Sequence, residues 1–382
     1  MDKFVAKHIK DLAPSGIREF FDLVLEAKDV VSLGVGEPDF VTPWSIREKA
    51  LSSLEQGYTS YTSNKGMYRL RLEIAHFLKK HYSLNYDPDE EILVTAGVSQ
   101  GLDLAVRAIV NSKDRVLLVY PCYVSYPAVV NLAGGKVVEY YTSEKEGFKI
   151  VPSKLKEIIK RYNPKAMILN YPSNPTGVSY TRAELEEIRR VVMKGGIIVL
   201  SDEIYDLITY GYKHTPFPGL KRTKQKTIYL GGFSKGYAMT GFRIGFACGN
   251  RQVIKEMTKI NAYVMICPSI TSQLAAIEAL NSQKEVNAMV REYTRRRNYI
   301  VGELNSLGFK TFLPEGAFYC FSSIKHTGLS SVEFAKELLK KDRVAVVPGS
   351  AFGKRYNDFV RVSFASPFDD LKEAVRRIRN FI

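Results

Sequence analysis

Residues 165–205 read KAMILNYPSNPTGVSYTRAELEEIRRVVMKGGIIVLSDEIY. Lys165–Asn170 is an apolar run that ends in the turn-rich segment Tyr171-Pro172-Ser173-Asn174-Pro175-Thr176-Gly177. Arg182–Val192 then reads as a helix starting after Thr181, and Gly196–Ser201 as a second strand. That second strand is apolar without alternation, as expected where both faces of a sheet are covered. A strand, a helix and a strand in close succession form a βαβ unit, which calls for parallel pairing.

The same alternation extends outward in both directions. Upstream, Glu91–Thr95, Arg115–Tyr120 and Lys136–Tyr141 read as strands, and Gln100–Val110, Ser125–Leu132 and Ser153–Arg161 as helices, the last with Ser153 as its N-cap. Downstream, Lys226–Leu230 and Arg243–Cys248 read as two more strands. The expected fold class is therefore α/β, a mixed but mostly parallel sheet between helix layers. Ligands on such sheets bind beyond the carboxyl ends of the strands. The last third changes character. A long polar helix, Glu285–Leu307, precedes short strands at Phe309–Phe312, Ala317–Phe321, Arg343–Val347 and Phe359–Phe364, with a helix at Ser331–Lys340 and another at the end. This predicts a smaller α+β domain from residues 1–44 and 281–382, beside a large domain from 45–280.

The chain has 382 residues, of which 45% are hydrophobic and 25% charged, enough for a sizeable core. Its formal net charge is +15. A nucleic-acid or membrane-surface partner is one reading of such charge. A solvated basic surface is the preferred one, because the densest cluster, Lys221–Lys226, falls in an expected loop. On that reading no nucleic-acid partner is expected, and since no run of about 18 uncharged apolar residues occurs, no membrane either. Met1-Asp2-Lys3-Phe4 leads into a charged stretch without the apolar centre of a signal peptide. Four cysteines without a CxxC pair argue against a disulfide framework or a zinc site. A cytoplasmic protein without a metal is the expectation.

Chemistry concentrates at the expected strand ends. Gly231-Gly232-Phe233-Ser234-Lys235 follows the strand ending at Leu230, and Thr240-Gly241-Phe242-Arg243 closes the same loop. A lysine there can condense with a carbonyl if burial or nearby cations lower its pKa. Ser234 and Arg243 suit a phosphate dianion. Taken alone, Lys235 would be a solvated loop residue, Asn174-Pro175-Thr176-Gly177 a turn, Asp202 a capping acid and Tyr123 a core tyrosine. Arg361, amid apolar neighbours in Phe359–Phe364, needs a partner: an ion pair in one reading, a bidentate carboxylate in the other.

In order and wording these segments resemble the signatures of class I aminotransferases, enzymes of fold type I that use pyridoxal 5'-phosphate (PLP). The resemblance runs from about Pro14 to the final helix. It implies that Lys235 holds the cofactor and acts as the base, that Asp202 pairs with the ring nitrogen, and that Asn174 and Tyr205 contact the ring 3'-oxygen. It further implies that Val98, Ser99, Ser234 and Arg243 contact the phosphate, with Ser99 near a helix N-terminus, and that Tyr123 stacks on the ring. Gly36, in Gly34-Val35-Gly36-Glu37-Pro38-Asp39, and Asn174 and Arg361 would receive the substrate. Tyr61 matches a tyrosine that reaches the phosphate of a partner subunit's cofactor, so a homodimer with shared sites is implied.

The implied reaction moves the amino group of an L-amino acid to a 2-oxo acid such as 2-oxoglutarate in ping-pong fashion. Ser15-Gly16-Ile17-Arg18 and Val346–Gly353 resemble the subgroup that includes aspartate, aromatic, alanine and acetyl-diaminopimelate aminotransferases. Ile17 and Tyr263 are candidate pocket residues and equally candidate packing residues. Two other readings share the scaffold. One is a PLP-dependent lyase or decarboxylase. The other, a DNA-binding regulator, needs an extra module for which the N-terminal segment is too short.

Overall fold

The computed structural model describes residues 4–10, 12 and 29–382. Its strands are β1 (Val31–Ser32), β2 (Ile92–Thr95), β3 (Arg115–Tyr120), β4 (Lys136–Tyr141), β5 (Ala166–Asn170), β6 (Ile198–Asp202) and β7 (Thr227–Gly232). These are followed by β8 (Gly245–Cys248), β9 (Lys310–Thr311), β10 (Tyr319–Ser323), β11 (Val344–Ala345), β12 (Val347–Pro348) and β13 (Phe359–Ser363). The main sheet has the order β2-β8-β7-β6-β5-β3-β4. β4, β3, β5, β6 and β7 pair in parallel. β8 runs antiparallel to both its neighbours, because the loop 233–244 turns the chain back without a helical crossover. Every residue of β2 and β8 is buried, as strands covered on both faces require. The fold is the expected α/β one, a mixed and mostly parallel sheet between helices.

The helix Arg182–Lys194 starts as read, and its first turn is closed by a capping box. Glu184 donates its backbone N–H to the Thr181 hydroxyl, and the Glu184 carboxylate accepts the Thr181 N–H at 2.7 Å. Such a cap stabilises a helix by about 1 kcal/mol. The start of Pro152–Tyr162 differs from expectation. Val151 is the N-cap, Pro152 opens the helix, and Ser153 lies inside it without capping. Proline's fixed φ suits the first helical position, and the Val151 N–H donates to the Tyr140 hydroxyl at 2.8 Å. Arg243 also departs from its expected strand. It has φ 51, one residue after the 3-10 turn Thr240–Phe242, and β8 begins only at Gly245.

Among the described residues, the longer helices not singled out from sequence are Trp44–Glu55, Tyr68–Tyr82, Arg251–Val264 and Ile270–Ala279. Trp44, Leu51 and Leu54 are exposed on the first, which blurs the apolar stripe that marks a helix. It packs on Ile270–Ala279. In the last third, β12-β13-β10-β9 form an antiparallel sheet flanked by Gln283–Ser306, Ser331–Asp342 and Phe368–Phe381. The early β1 pairs in parallel with β11, Val31 opposite Val344. This carries the segment that begins near residue 30 onto the C-terminal elements and delivers Gly34–Asp39 to the edge of the main sheet. Among the described residues no helix is long and apolar enough to cross a membrane.

Candidate active site

A cavity of about 620 Å³ opens at the carboxyl ends of the parallel strands, where residues from both sheets meet. Asp202 is the last residue of β6 and stands opposite Asn170, the last of β5. Neighbouring residues of a strand point to opposite faces. Asp202 accordingly faces the cavity, whereas Glu203 turns away and accepts hydrogen bonds from the Ser201 hydroxyl at 2.6 Å and the Phe217 N–H at 3.1 Å. The Asp202 carboxylate accepts from the Tyr126 hydroxyl at 2.7 Å and from the Ile204 N–H at 3.2 Å. Burial nevertheless raises its pKa to about 6, because two donors do not replace the lost water. A cationic partner would restore its charge.

Lys235 projects into the same cavity from the loop after β7, and its Nζ donates to the Gly36 carbonyl at 2.6 Å. Burial lowers its pKa to about 8; Glu37 opposes the shift, and Arg361 and Arg243 reinforce it. Near neutral pH a usable fraction of the amine is therefore unprotonated, as a nucleophile or base requires. On one side of the lysine lies an anion cradle. The helix Gly97–Ile109 opens onto the cavity through Val98 and Ser99, opposite Ser234 and Arg243. Gly97 has φ +79, and a Cβ built on it would lie 2.9 Å from Arg243 Nη2. Only glycine gives both the left-handed backbone and the close approach of the guanidinium. Unpaired N–H groups at a helix start, two hydroxyls and an arginine together suit a phosphate.

On the other side lies Arg361, only 2% exposed. Its Nη1 donates to Asn174 Oδ1 at 2.9 Å and its Nη2 to the Gly34 carbonyl at 2.7 Å. Its Nε is buried without a partner. An unpaired donor on a buried cation is costly, so an anionic acceptor from outside the chain fits here. The Tyr205 and Tyr319 hydroxyls lie 3.0 Å apart, and both residues line the cavity.

The cavity thus gathers Val98, Ser99, Tyr123, Asn174, Asp202 and Tyr205, together with Ser234, Lys235, Arg243, Gly36 and Arg361. Tyr123 stands edge-on to Tyr126, ring centroids 5.7 Å apart. Tyr61 does not join them within one chain and is 81% exposed. Tyr263, expected either in the pocket or in packing, is 89% exposed at the end of Arg251–Val264 and lines no part of the cavity. Ile17 and its neighbours Ser15–Arg18 lie outside the described residues. Among the lining residues given no role from sequence are Tyr126, Asn170 and Tyr319. The strand end offered a signal for Asn170, and one helical turn from Tyr123 a signal for Tyr126. Nothing local marked Tyr319.

PLP has the features these residues answer. It carries a phosphate for the cradle at Gly97–Ser99, a carbonyl for the Lys235 amine and a ring nitrogen whose proton would return charge to Asp202. A carboxylate on the bound substrate would suit the Arg361 guanidinium, which lines the cavity. Fold and site together define an α/β PLP enzyme acting on amino acids. Residues 28–378 match the family described as aminotransferase class I and II. The aspartate aminotransferase of Pyrococcus abyssi is 42% identical, over 97% of this chain and 96% of its own. The aromatic-amino-acid aminotransferase 2 of Thermococcus litoralis is 40% identical over 97% and 96%. The solved aromatic aminotransferase of Pyrococcus horikoshii superposes with a TM-score of 0.90 at 41% identity, covering 96% of this chain and 98% of that one. The chain belongs to the class I and II aminotransferase family: it is a PLP-dependent enzyme that transfers amino groups.

Proposed function

We propose that this enzyme takes the amino group of an L-amino acid of the aspartate or aromatic kind and delivers it to a 2-oxo acid such as 2-oxoglutarate. The observation that carries the reading is the convergence of Lys235, Asp202 and Arg361 on one cavity, beside an anion cradle. When bound there, PLP supplies a carbonyl that takes up the amino group and a ring that accepts electrons from the substrate Cα. Val98, Ser99, Ser234 and Arg243 hold the phosphate. Asp202 keeps a proton on the ring nitrogen, and Tyr123 covers the ring face. Asn174 and Tyr205 hold the ring 3'-oxygen. Arg361, with Asn174 and the Gly36 backbone, binds the substrate α-carboxylate and so fixes which Cα bond stands across the ring. Lys235 Nζ would serve as the base that carries the Cα proton. These steps run in reverse with the 2-oxo acid.

The cofactor-binding domain is taken as 45–280, and the small domain as 1–44 with 281–382. The exposure of Tyr61, with Trp44, Leu54 and Tyr58 exposed nearby in sequence, supports a homodimer in which Tyr61 completes the partner's phosphate site, and a cytoplasmic location goes with that reading. An active species sedimenting as a 43.1 kDa monomer would overturn the shared site.

The test is the near-ultraviolet and visible spectrum of the PLP-loaded protein while aspartate, phenylalanine, alanine or glutamate is added singly. The visible band should collapse with a good donor and return when a 2-oxo acid follows. Release of ammonia or carbon dioxide without that return would favour the lyase or decarboxylase.

A further inference from the structure

We propose that Tyr319 is a positioning residue that joins the two halves of the site, its hydroxyl supporting Tyr205 and its ring supporting Arg361. The inference rests on the preceding reading of Tyr205 as a contact to the cofactor's ring oxygen and of Arg361 as the carboxylate clamp.

Strand pairing explains how one side chain reaches both. β10 and β13 run antiparallel, with Tyr319 opposite Ser363 and Phe321 opposite Arg361. Tyr319 and Arg361 are therefore diagonal neighbours on the same face, a spacing that aromatic and long side chains span. The Arg361 guanidinium carbon lies 4.4 Å from the centre of the Tyr319 ring and 5.0 Å from that of Phe352. Both rings pack against the guanidinium, whose Nε finds no partner within the chain.

The hydroxyl lies 3.0 Å from that of Tyr205 and would be 3.1 Å from a Cβ on Gly36. It thus sits between the cofactor side and the carboxylate side. A hydroxyl has one hydrogen to give. If Tyr205 spent its hydrogen on Tyr319, none would remain for the cofactor. The chain that serves the site runs from Tyr319 to Tyr205 to the ring oxygen, and each donation strengthens the next. With PLP bound, a stronger donor on the ring oxygen would loosen the hold on a proton at the nearby Lys235 nitrogen. That proton then leaves at lower pH.

Two substitutions separate the roles. Tyr319→Phe keeps the ring and removes the hydroxyl. In the PLP-loaded protein it should raise the pH midpoint of the visible band by about 0.2–0.7, the size of a 10–30% weakening of a charge-assisted hydrogen bond. It should raise the donor KM less than about threefold, since the cation–ring contact survives. Tyr319→Leu also removes the ring and should raise the KM for every amino donor by about five- to thirtyfold. If that variant does not fold, judged by the melting temperature of the loaded protein, Tyr319→Met takes its place. A wild-type midpoint retained in Tyr319→Phe overturns the proposal, as does a KM no higher in the ring-less variant than in Tyr319→Phe. A wild-type protein that shows no titrating band with PLP would instead defeat the reading of the site on which the proposal rests.

Discussion

Asp202→Asn should make the cofactor-free protein more stable near pH 8 while removing most of its activity. In the folded protein the Asp202 carboxyl titrates at about 6 rather than 3.8, with burial the main cause. At 1.36 kcal/mol per pH unit this is a preference of about 3 kcal/mol for the neutral form. Because the folded value lies above the unfolded one, the stability contributed by protonated Asp202 is fully present below about pH 3.8 and is lost as the pH rises through about 6. Asparagine removes that loss. It can still accept from Tyr126, but it gives up the contact with the Ile204 N–H, worth about 1 kcal/mol. The net gain at pH 8 is about 2 kcal/mol, or roughly 2–3 °C in melting temperature for a chain of this length. Calorimetry of stripped protein at fixed ionic strength, between about pH 5 and 8, would follow the gain, which should fade toward the acid end. Turnover of the loaded variant should fall by about 10²- to 10⁴-fold if Asp202 pairs with the ring nitrogen as proposed. A melting difference of the same size at both ends of the pH range would refute the reasoning.

Three further outcomes are expected. The rate at which stripped protein takes up PLP should rise with pH around a midpoint of about 8, where the Lys235 amine loses its proton, and Lys235→Ala should show neither uptake into a visible band nor turnover; a pH-independent uptake rate would contradict the depressed value. Gly97→Ala should weaken PLP binding by at least about tenfold, since φ +79 costs about 1–2 kcal/mol for a residue with a Cβ and that Cβ would push against Arg243; fluorescence titration with PLP checks this, and wild-type affinity would show that the cradle does not depend on the close approach. Arg361→Lys should raise the KM for amino acids by about tenfold to a hundredfold, because an ammonium cannot replace a two-pronged contact; an unchanged KM in steady-state assays would place the carboxylate elsewhere.

Much of the site was legible because its residues follow strand ends, and strand ends show in sequence as apolar runs that stop at glycine, proline or aspartate. Asp202 ends β6 and Lys235 follows β7 closely enough for the βα alternation to bring them to one edge. Tyr126 was missed because its partner, Asp202, is 76 positions away, and a tyrosine on a short helix reads as core. Tyr319 was missed for the same reason. Its contacts with Tyr205 and Arg361 exist only once β10 has paired with β13 and that sheet has docked against the main one.

Sequence alone determined the α/β alternation, the order of the strands along the chain and the types of residue held at their ends, because these depend on local periodicity and turn chemistry. Tertiary structure decided which strand reverses, how Gly34–Asp39 reaches the cavity through the pairing of β1 with β11, and what each titratable group experiences. The pKa values of Asp202 and Lys235 are set by burial and by charges brought from distant segments, Arg361 and Arg243 among them for the lysine. Electrostatic energy depends on distance and on excluded water, and neither exists until the chain has packed.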